Sequence, residues 1–119
     1  MKRRHTDLEA WKESMSLVKN IYDHTRDFPR EEQFGLTSQI RRAAVSIPAN
    51  IAEGAARGAQ KELKQFLTIA RGSLSGLETL ILIAKDVKFL AKEKYEELEQ
   101  QAGRVPMLIS GLITSLRVS

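Results

Sequence analysis

The sequence predicts an all-α protein, an antiparallel up-down bundle of four helices in a single domain spanning residues 1–119. Three observations lead to this prediction. Apolar residues recur every three or four positions over nearly the whole chain, which is the spacing of one helix face. Seven glycines and three prolines are few for 119 residues, which favours long regular elements over a turn-rich fold. No stretch alternates polar and apolar residues for long enough to indicate a strand.

The first helix is predicted over about residues 7–27. Thr6 and Glu9 have the spacing of a capping box, in which each side chain binds a free amide of the first turn. The Phe28-Pro29 step ends the helix, because the residue before a proline is pushed out of the α region. Its apolar face is predicted to consist of Leu8, Trp11, Met15, Val18, Tyr22 and Thr25.

The second helix is predicted over about residues 36–55 and contains a proline. Pro48 removes a backbone donor and costs about 3 kcal/mol in an ordinary helix interior, so we expect a kink that packs tightly against its neighbours. The apolar face consists of Leu36, Ile40, Ala43, Ile47 and Ile51.

The third and fourth helices are predicted over about residues 60–85 and 91–117. Pro106 makes the last helix less regular than its apolar pattern suggests. The short predicted connections favour antiparallel neighbours. The apolar face of the third helix is Leu63, Phe66, Ala70, Leu74, Leu77, Ile81 and Ala84. That of the fourth is Tyr95, Leu98, Ala102, Val105, Ile109, Leu112 and Leu116.

The helices carry more apolar residues than one bundle core needs. Residues 80–84 are all apolar, and at 100° per residue they cover the whole circumference of the third helix. Either loops cover the surplus, or it forms contacts between subunits. We favour self-association, with candidate interface residues Leu80, Leu82, Ile83, Leu108 and Ile113.

The net charge of +4 lies in the middle of the chain. Residues 33–76 carry six basic and two acidic side chains, whereas the two flanking segments are balanced. Such a concentration favours an acidic partner such as nucleic acid, although a merely solvated face has the same composition. The candidate contacts that lie off the apolar faces are Arg41, Arg57, Lys61 and Lys64, with Arg42 and Arg71 as further candidates that polar neighbours could hold in place.

A polar stripe runs along the second helix beside its apolar face. Glu53 and Arg57 are four residues apart, in the order that favours an ion pair. Gly72 and Gly76 are predicted to let the third helix approach closely, so that Arg71 and Ser73 reach the stripe. The stripe is either a binding groove or a hydrogen-bonded network that fixes register, and we favour the network. Its members are Gln39, Arg42, Ser46, Asn50, Glu53 and Arg57.

The predicted second helix carries a specific motif, Ser46-Ile47-Pro48-x-Asn50-Ile51-Ala52-Glu53-Gly54. With residues 8–11 and 66–74 it resembles the bacterial four-helix-bundle family of the 23S rRNA intervening-sequence proteins, to which the accessory variability proteins of diversity-generating retroelements are similar. The resemblance implies a ring-shaped homopentamer with a basic surface. In the retroelement branch it also implies binding to a reverse transcriptase and to nucleic acid. The sequence departs from the family pattern at Ala59 and Gly76.

The residues that enzymes and metal sites need are missing from the pattern. There is no cysteine, and neither His5 nor His24 belongs to a Glu-x-x-His pair, so we predict no enzyme activity, no metal and no cofactor. The longest apolar run is far shorter than the roughly 18 residues of a membrane span, and a charged start is unlike a signal peptide. We therefore expect a cytoplasmic protein without a membrane contact.

Two functions remain open. The first is an oligomeric accessory protein that binds RNA or DNA, associated with rRNA or with a reverse transcriptase–RNA complex. It would contact phosphates and not read bases, because residues 35–65 offer no aromatic side chain for stacking. The second is a structural, self-assembling helical module that binds another protein and has no nucleic-acid role.

Overall fold

The computed structural model describes residues 5–117, and these residues form four α-helices and no strand. The helices are α1 (Glu9–His24), α2 (Leu36–Arg57), α3 (Gln60–Asp86) and α4 (Lys92–Ser115). Short 3-10 turns at His5–Asp7 and Arg30–Glu32 precede α1 and α2. The predicted all-α class and the number of helices are confirmed.

The helices pack around the bundle in chain order. Each contacts the next, and α1 closes the bundle against α4. Short connections make successive helices antiparallel, and the molecule is elongated, with dimensions of 46 × 24 × 22 Å. In this arrangement α3 has a flank that faces α4 and an outer surface that faces away from the bundle.

The core consists of the inward faces predicted for α2, α3 and α4. Ile47 and Ile51 of α2 are completely buried, as are Leu77 of α3 and Leu98 of α4. The ring of Pro48 is also buried, and α2 continues through it to Arg57. Close packing around the ring compensates for the missing backbone donor. The predicted residues at the edges of these faces are half-buried: Leu36, Ala43, Leu63, Phe66, Tyr95, Leu112 and Leu116.

The predicted inward face of the first helix is right at its two ends, where Leu8 and Thr25 are buried, but wrong by about one residue between them. The structure buries Ala10, Ser14, Leu17 and Ile21, whereas Tyr22 is exposed. Trp11, Met15 and Val18 are half-buried at the edge. Two apolar stripes lie side by side on this helix, and the one containing small residues permits the closer approach to the core. Ser14 is tolerated there because its hydroxyl donates to the Trp11 carbonyl at 2.9 Å.

The predicted ends of α1 also differ from the structure. Leu8 occupies the N-cap position and makes no side-chain capping bond, because Thr6 belongs to the preceding 3-10 turn. The predicted capping box is therefore wrong. The helix ends at His24, where Thr25 donates its hydroxyl to the Ile21 carbonyl at 2.8 Å. The polypeptide then turns before the Phe28-Pro29 step.

Gly54 is the position at which α2 and α3 approach each other most closely among the glycines of residues 5–117. A Cβ at Gly54 would lie 2.7 Å from Phe66 Cβ and 3.3 Å from Leu63 Cα. At Gly72 and Gly76 it would meet nothing within 4 Å, so the predicted role of those two glycines in this contact is wrong. The hairpin is completed by Gly58, whose φ of 82° ends α2 in the left-handed conformation that favours glycine.

Gly54→Ala is expected to lower the free energy of unfolding by about 1–3 kcal/mol, because the added methyl group forces two packed backbones apart. Gly103→Ala is the matched control, since Gly103 lies in a helix with open space at its Cβ position. The control should be neutral or raise stability by up to about 1 kcal/mol. Urea unfolding at one protein concentration measures both. Equal stability of the two variants would contradict the close approach.

Candidate functional site

Arg41 is held between α1 and α2. Its Nε donates to Thr25 Oγ1 at 3.0 Å, and its guanidinium carbon lies 4.5 Å from the centroid of the Tyr22 ring. A cation over an aromatic face is stabilised by the ring quadrupole. Arg41 was predicted as a phosphate contact, but the structure commits this side chain to packing the first two helices together.

Arg57 is neutralised by two carboxylates at the α2–α3 turn. Its Nε lies 3.0 Å from Glu53 Oε2, which is the predicted ion pair, and its Nη1 lies 3.4 Å from Glu62 Oε2. The guanidinium also lies 5.2 Å from the centroid of the Phe66 ring. Arg57 therefore stabilises the hairpin and leaves little positive charge for an outside partner.

The other four predicted cations have no carboxylate partner within residues 5–117. Arg42 and Lys61 are exposed, and Lys64 is half-buried. Arg71 is exposed and donates from Nη1 to Ser110 Oγ at 3.2 Å. Of the six predicted cations, those without a carboxylate partner thus lie on the outer surface of α2 and on the first half of α3.

The polar stripe of α2 is bonded within its own helix. Ser46 donates to the Ala43 carbonyl at 2.7 Å, and Asn50 donates to the Ser46 carbonyl at 2.7 Å. Gln39 is exposed and Ser73 is half-buried. Because Arg71 binds Ser110 of α4, the predicted link from Arg71 to this stripe is not formed. Arg57 reaches α3, where it pairs with Glu62, whereas Glu53 pairs with Arg57 inside α2.

A polar network that the sequence did not predict joins α1 to α4. Gln101 is buried, and its side-chain amide accepts from Asn20 at 2.6 Å and donates to Ser16 at 3.0 Å. Glu13 pairs with Arg104 at 3.1 Å in the same interface. A glutamine beside the apolar face of the fourth helix was the signal for this contact.

The outer face of α3, which we define as Ile69, Gly72, Gly76 and Ile83 together with Val87, the residue that follows the helix, is largely apolar and uncovered. Ile69 is 46% exposed, Ile83 43% and Val87 49%. The spacing of these positions keeps them on one side of the helix. Of the predicted interface residues, Leu82 is also exposed, whereas Leu80, Leu108 and Ile113 are half-buried and pack against the core.

By length and composition alone, α3 could also cross a membrane. Its most apolar window has a mean hydropathy of 1.4, and 28% of that window is buried in the bundle. The core helix of a soluble protein meets the same criteria.

The end of the α3–α4 hairpin that contains its turn is acidic. Residues 78–99 carry six acidic and four basic side chains. Here Tyr95 donates to Glu99 Oε2 at 3.0 Å, and Lys85 Nζ lies 4.9 Å from the centroid of the Tyr95 ring. Burial raises the pKa of Tyr95 above its ordinary value, and the bond to Glu99 raises it further, so the phenol stays protonated at neutral pH.

Among residues 5–117, no three His, Cys, Asp or Glu side chains lie close enough together to hold a metal ion. A cavity of about 250 Å³ at the end of the bundle is lined by Leu8, Leu63, Leu112 and Leu116, by Gln60, and by small residues of the α2–α3 turn. The groups that the structure presents to a partner are therefore exposed cations and an apolar helix face.

Comparisons with known proteins agree with this fold. The family model described as 23S rRNA-intervening sequence protein matches residues 6–111. A crystal structure of a protein of unknown function from the S23 ribosomal protein family of Bacteroides thetaiotaomicron VPI-5482 has a TM-score of 0.81 at 20% identity, covering 89% of this chain and 99% of that one. A search of curated proteins finds no match.

Arg41→Gln is expected to lower the free energy of unfolding by about 1–2 kcal/mol, because it removes a charged hydrogen bond and a cation–π contact. Arg42→Gln removes the same charge from the adjacent, exposed position and should change stability by less than about 0.5 kcal/mol. Thermal or urea unfolding compares the two. If both variants unfold like the native protein, Arg41 does not hold α1 against α2.

Proposed function

Because the chain belongs to the family of 23S rRNA-intervening sequence proteins, we propose that it is a non-enzymatic, oligomeric accessory protein that binds RNA or DNA through phosphate contacts. One observation carries this proposal: Arg42, Lys61 and Lys64 have no carboxylate partner within residues 5–117. Unpaired cations on a protein surface attract a polyanion and exchange its counterions for protein contacts.

The proposed binding reads the phosphate backbone and not the bases. Phe66, on the same helix as Lys61 and Lys64, is half-buried beneath the guanidinium of Arg57. Phe34 is 91% exposed, but it precedes α2 at the end of that helix away from Lys61 and Lys64. Base stacking beside these two lysines therefore contributes little. Little sequence preference is therefore expected.

The proposed partners follow from the family. Its name supports an association with ribosomal RNA, and the resemblance to retroelement accessory proteins supports assistance to a reverse transcriptase–RNA complex. A location of the gene inside a ribosomal RNA gene favours the first partner, and a neighbouring reverse transcriptase gene favours the second.

The proposed assembly is a ring of five subunits, a number that comes from the family resemblance. The outer face of α3 supports self-association, since contiguous exposed apolar residues on a soluble domain mark contacts with other proteins. A ring would repeat a modest basic patch several times, so that weak contacts sum to a useful affinity.

A protein scaffold without a nucleic-acid role is the second candidate function. It is favoured by the same outer face of α3, which offers apolar contacts to any helical partner. The two candidates differ in one measurement, because only the first requires binding to nucleic acid at low salt.

Nucleic-acid affinity is expected to fall steeply with salt. In a variant with Arg42, Lys61 and Lys64 changed to Gln, affinity should be weaker and the log–log salt slope shallower by about 2, since each phosphate contact contributes roughly 0.7 to 0.9. Fluorescence anisotropy with a labelled RNA measures both quantities. The matched control changes Lys19, Lys92 and Lys94, three exposed residues elsewhere on the bundle, to Gln. If the native protein does not bind RNA or DNA at low salt, the first function is excluded and the protein scaffold is the candidate function that stands.

Ile83→Glu is expected to dissociate the oligomer, because a carboxylate buried without a partner in the interface costs several kcal/mol. Met107→Glu is the control, since Met107 is 76% exposed on α4 and lies outside the outer face of α3. Light scattering coupled to size exclusion gives the mass of each. A monomeric native protein, or an oligomer that Ile83→Glu leaves intact, would contradict an interface at this face.

A further inference from the structure

The groove between α3 and α4 carries a second set of polar residues beside the predicted cations. Arg71 reaches across it to Ser110. Lys64, Thr68 and Arg71 lie on one flank of α3, because Thr68 is four residues after Lys64 and Arg71 is three residues after Thr68. Thr114 lies one turn from Ser110 on α4, and its hydroxyl donates to the Ser110 carbonyl at 2.9 Å. We call Lys64, Thr68, Arg71, Ser110 and Thr114 the α3–α4 groove.

The groove lies in the basic half of this hairpin. Residues 60–77 and 100–117 together carry five basic side chains and one acidic one. The acidic residue, Glu62, pairs with Arg57 on the α2 side. The end of α4 is held here as well, because the Arg117 amide donates to Gln60 Oε1 at 2.8 Å, which places Arg117 beside the start of α3.

The contact between Arg71 and Ser110 leaves donors available. This bond uses one of the five guanidinium N–H groups of Arg71. Within residues 5–117 the other four are free to bind an anion in a bidentate geometry. Ser110 accepts this bond with its oxygen, and its own hydroxyl proton has no acceptor within residues 5–117. Ser110 therefore both positions Arg71 across the groove and offers a neutral donor of its own.

We propose that the α3–α4 groove is the track along which the phosphodiester backbone of the nucleic acid runs, an inference that rests on the proposed function. Lys64 and Arg71 are seven residues apart, about 10 Å along the helix axis. That separation is too large for both side chains to contact the same phosphate group, so the two cations contact separate phosphates. Ser110 is the positioning residue that holds Arg71 in the track.

The test compares the loss of two positive charges with the loss of the hydrogen bond that positions Arg71. Lys64→Gln with Arg71→Gln should weaken binding of a labelled oligouridylate and reduce the salt slope by about 1.5, since two phosphate contacts are lost. Ser110→Ala should weaken binding by about threefold to tenfold, as expected for one lost hydrogen bond. It should leave the salt slope unchanged, because it removes no charge.

The matched control is Lys92→Gln with Lys94→Gln, which removes two charges from the acidic end of the same hairpin. It should leave the slope unchanged. If the native protein binds and the groove variant loses no more than this control, the groove is not the track although the proposed function stands. A Ser110→Ala slope that falls like that of the charge variant would contradict the positioning role. If the native protein binds no nucleic acid, both proposals fail together.

Discussion

The close approach of α2 and α3 at Gly54 is the contact on which the rest of the structure depends. With no side chain at this position, Phe66 and Leu63 pack directly on the α2 backbone. The left-handed Gly58 then returns the chain within a few residues. The resulting hairpin holds Arg57 between two carboxylates, and Lys61 and Lys64 have no carboxylate partner within residues 5–117. A larger residue at Gly54 would separate the helices and alter this distribution of charge.

α3 consequently presents three different surfaces. Its inner surface is core, with Leu74 and Leu77 buried. The flank toward α4 carries Lys64 and Arg71, and the outer face carries Ile69 and Ile83. In the proposed function the flank contacts phosphate and the outer face contacts another subunit. Because the two surfaces share one helix, the proposed assembly would repeat the proposed phosphate contacts at fixed intervals around the oligomer.

Much of the fold could be predicted from the sequence, since α2, α3 and α4 each have one dominant apolar face. The inward face of α1 could not, because two apolar stripes compete and only packing decides between them. Similarly, three glycines in α2 and α3 look alike in the sequence, yet only the one opposite Phe66 is crowded. The individual roles of the cations were equally hidden: Arg41 and Arg42 are neighbours, and one binds Thr25 while the other is exposed. Which charge is free depends on tertiary contacts that spacing does not report.

Side-chain footprinting with hydroxyl radicals and mass spectrometry tests most directly the claim that two surfaces of α3 serve two partners. Met107 of α4 is the exposed reference. Dilution of the protein to the monomer should raise the labelling of Ile83 and Val87 and leave that of Met107 unchanged. Addition of an oligouridylate to the undiluted protein should protect Lys64 without changing Ile83 or Val87. Labelling of Ile83 and Val87 that does not change on dilution, with no protection of Lys64 by RNA, would contradict the account.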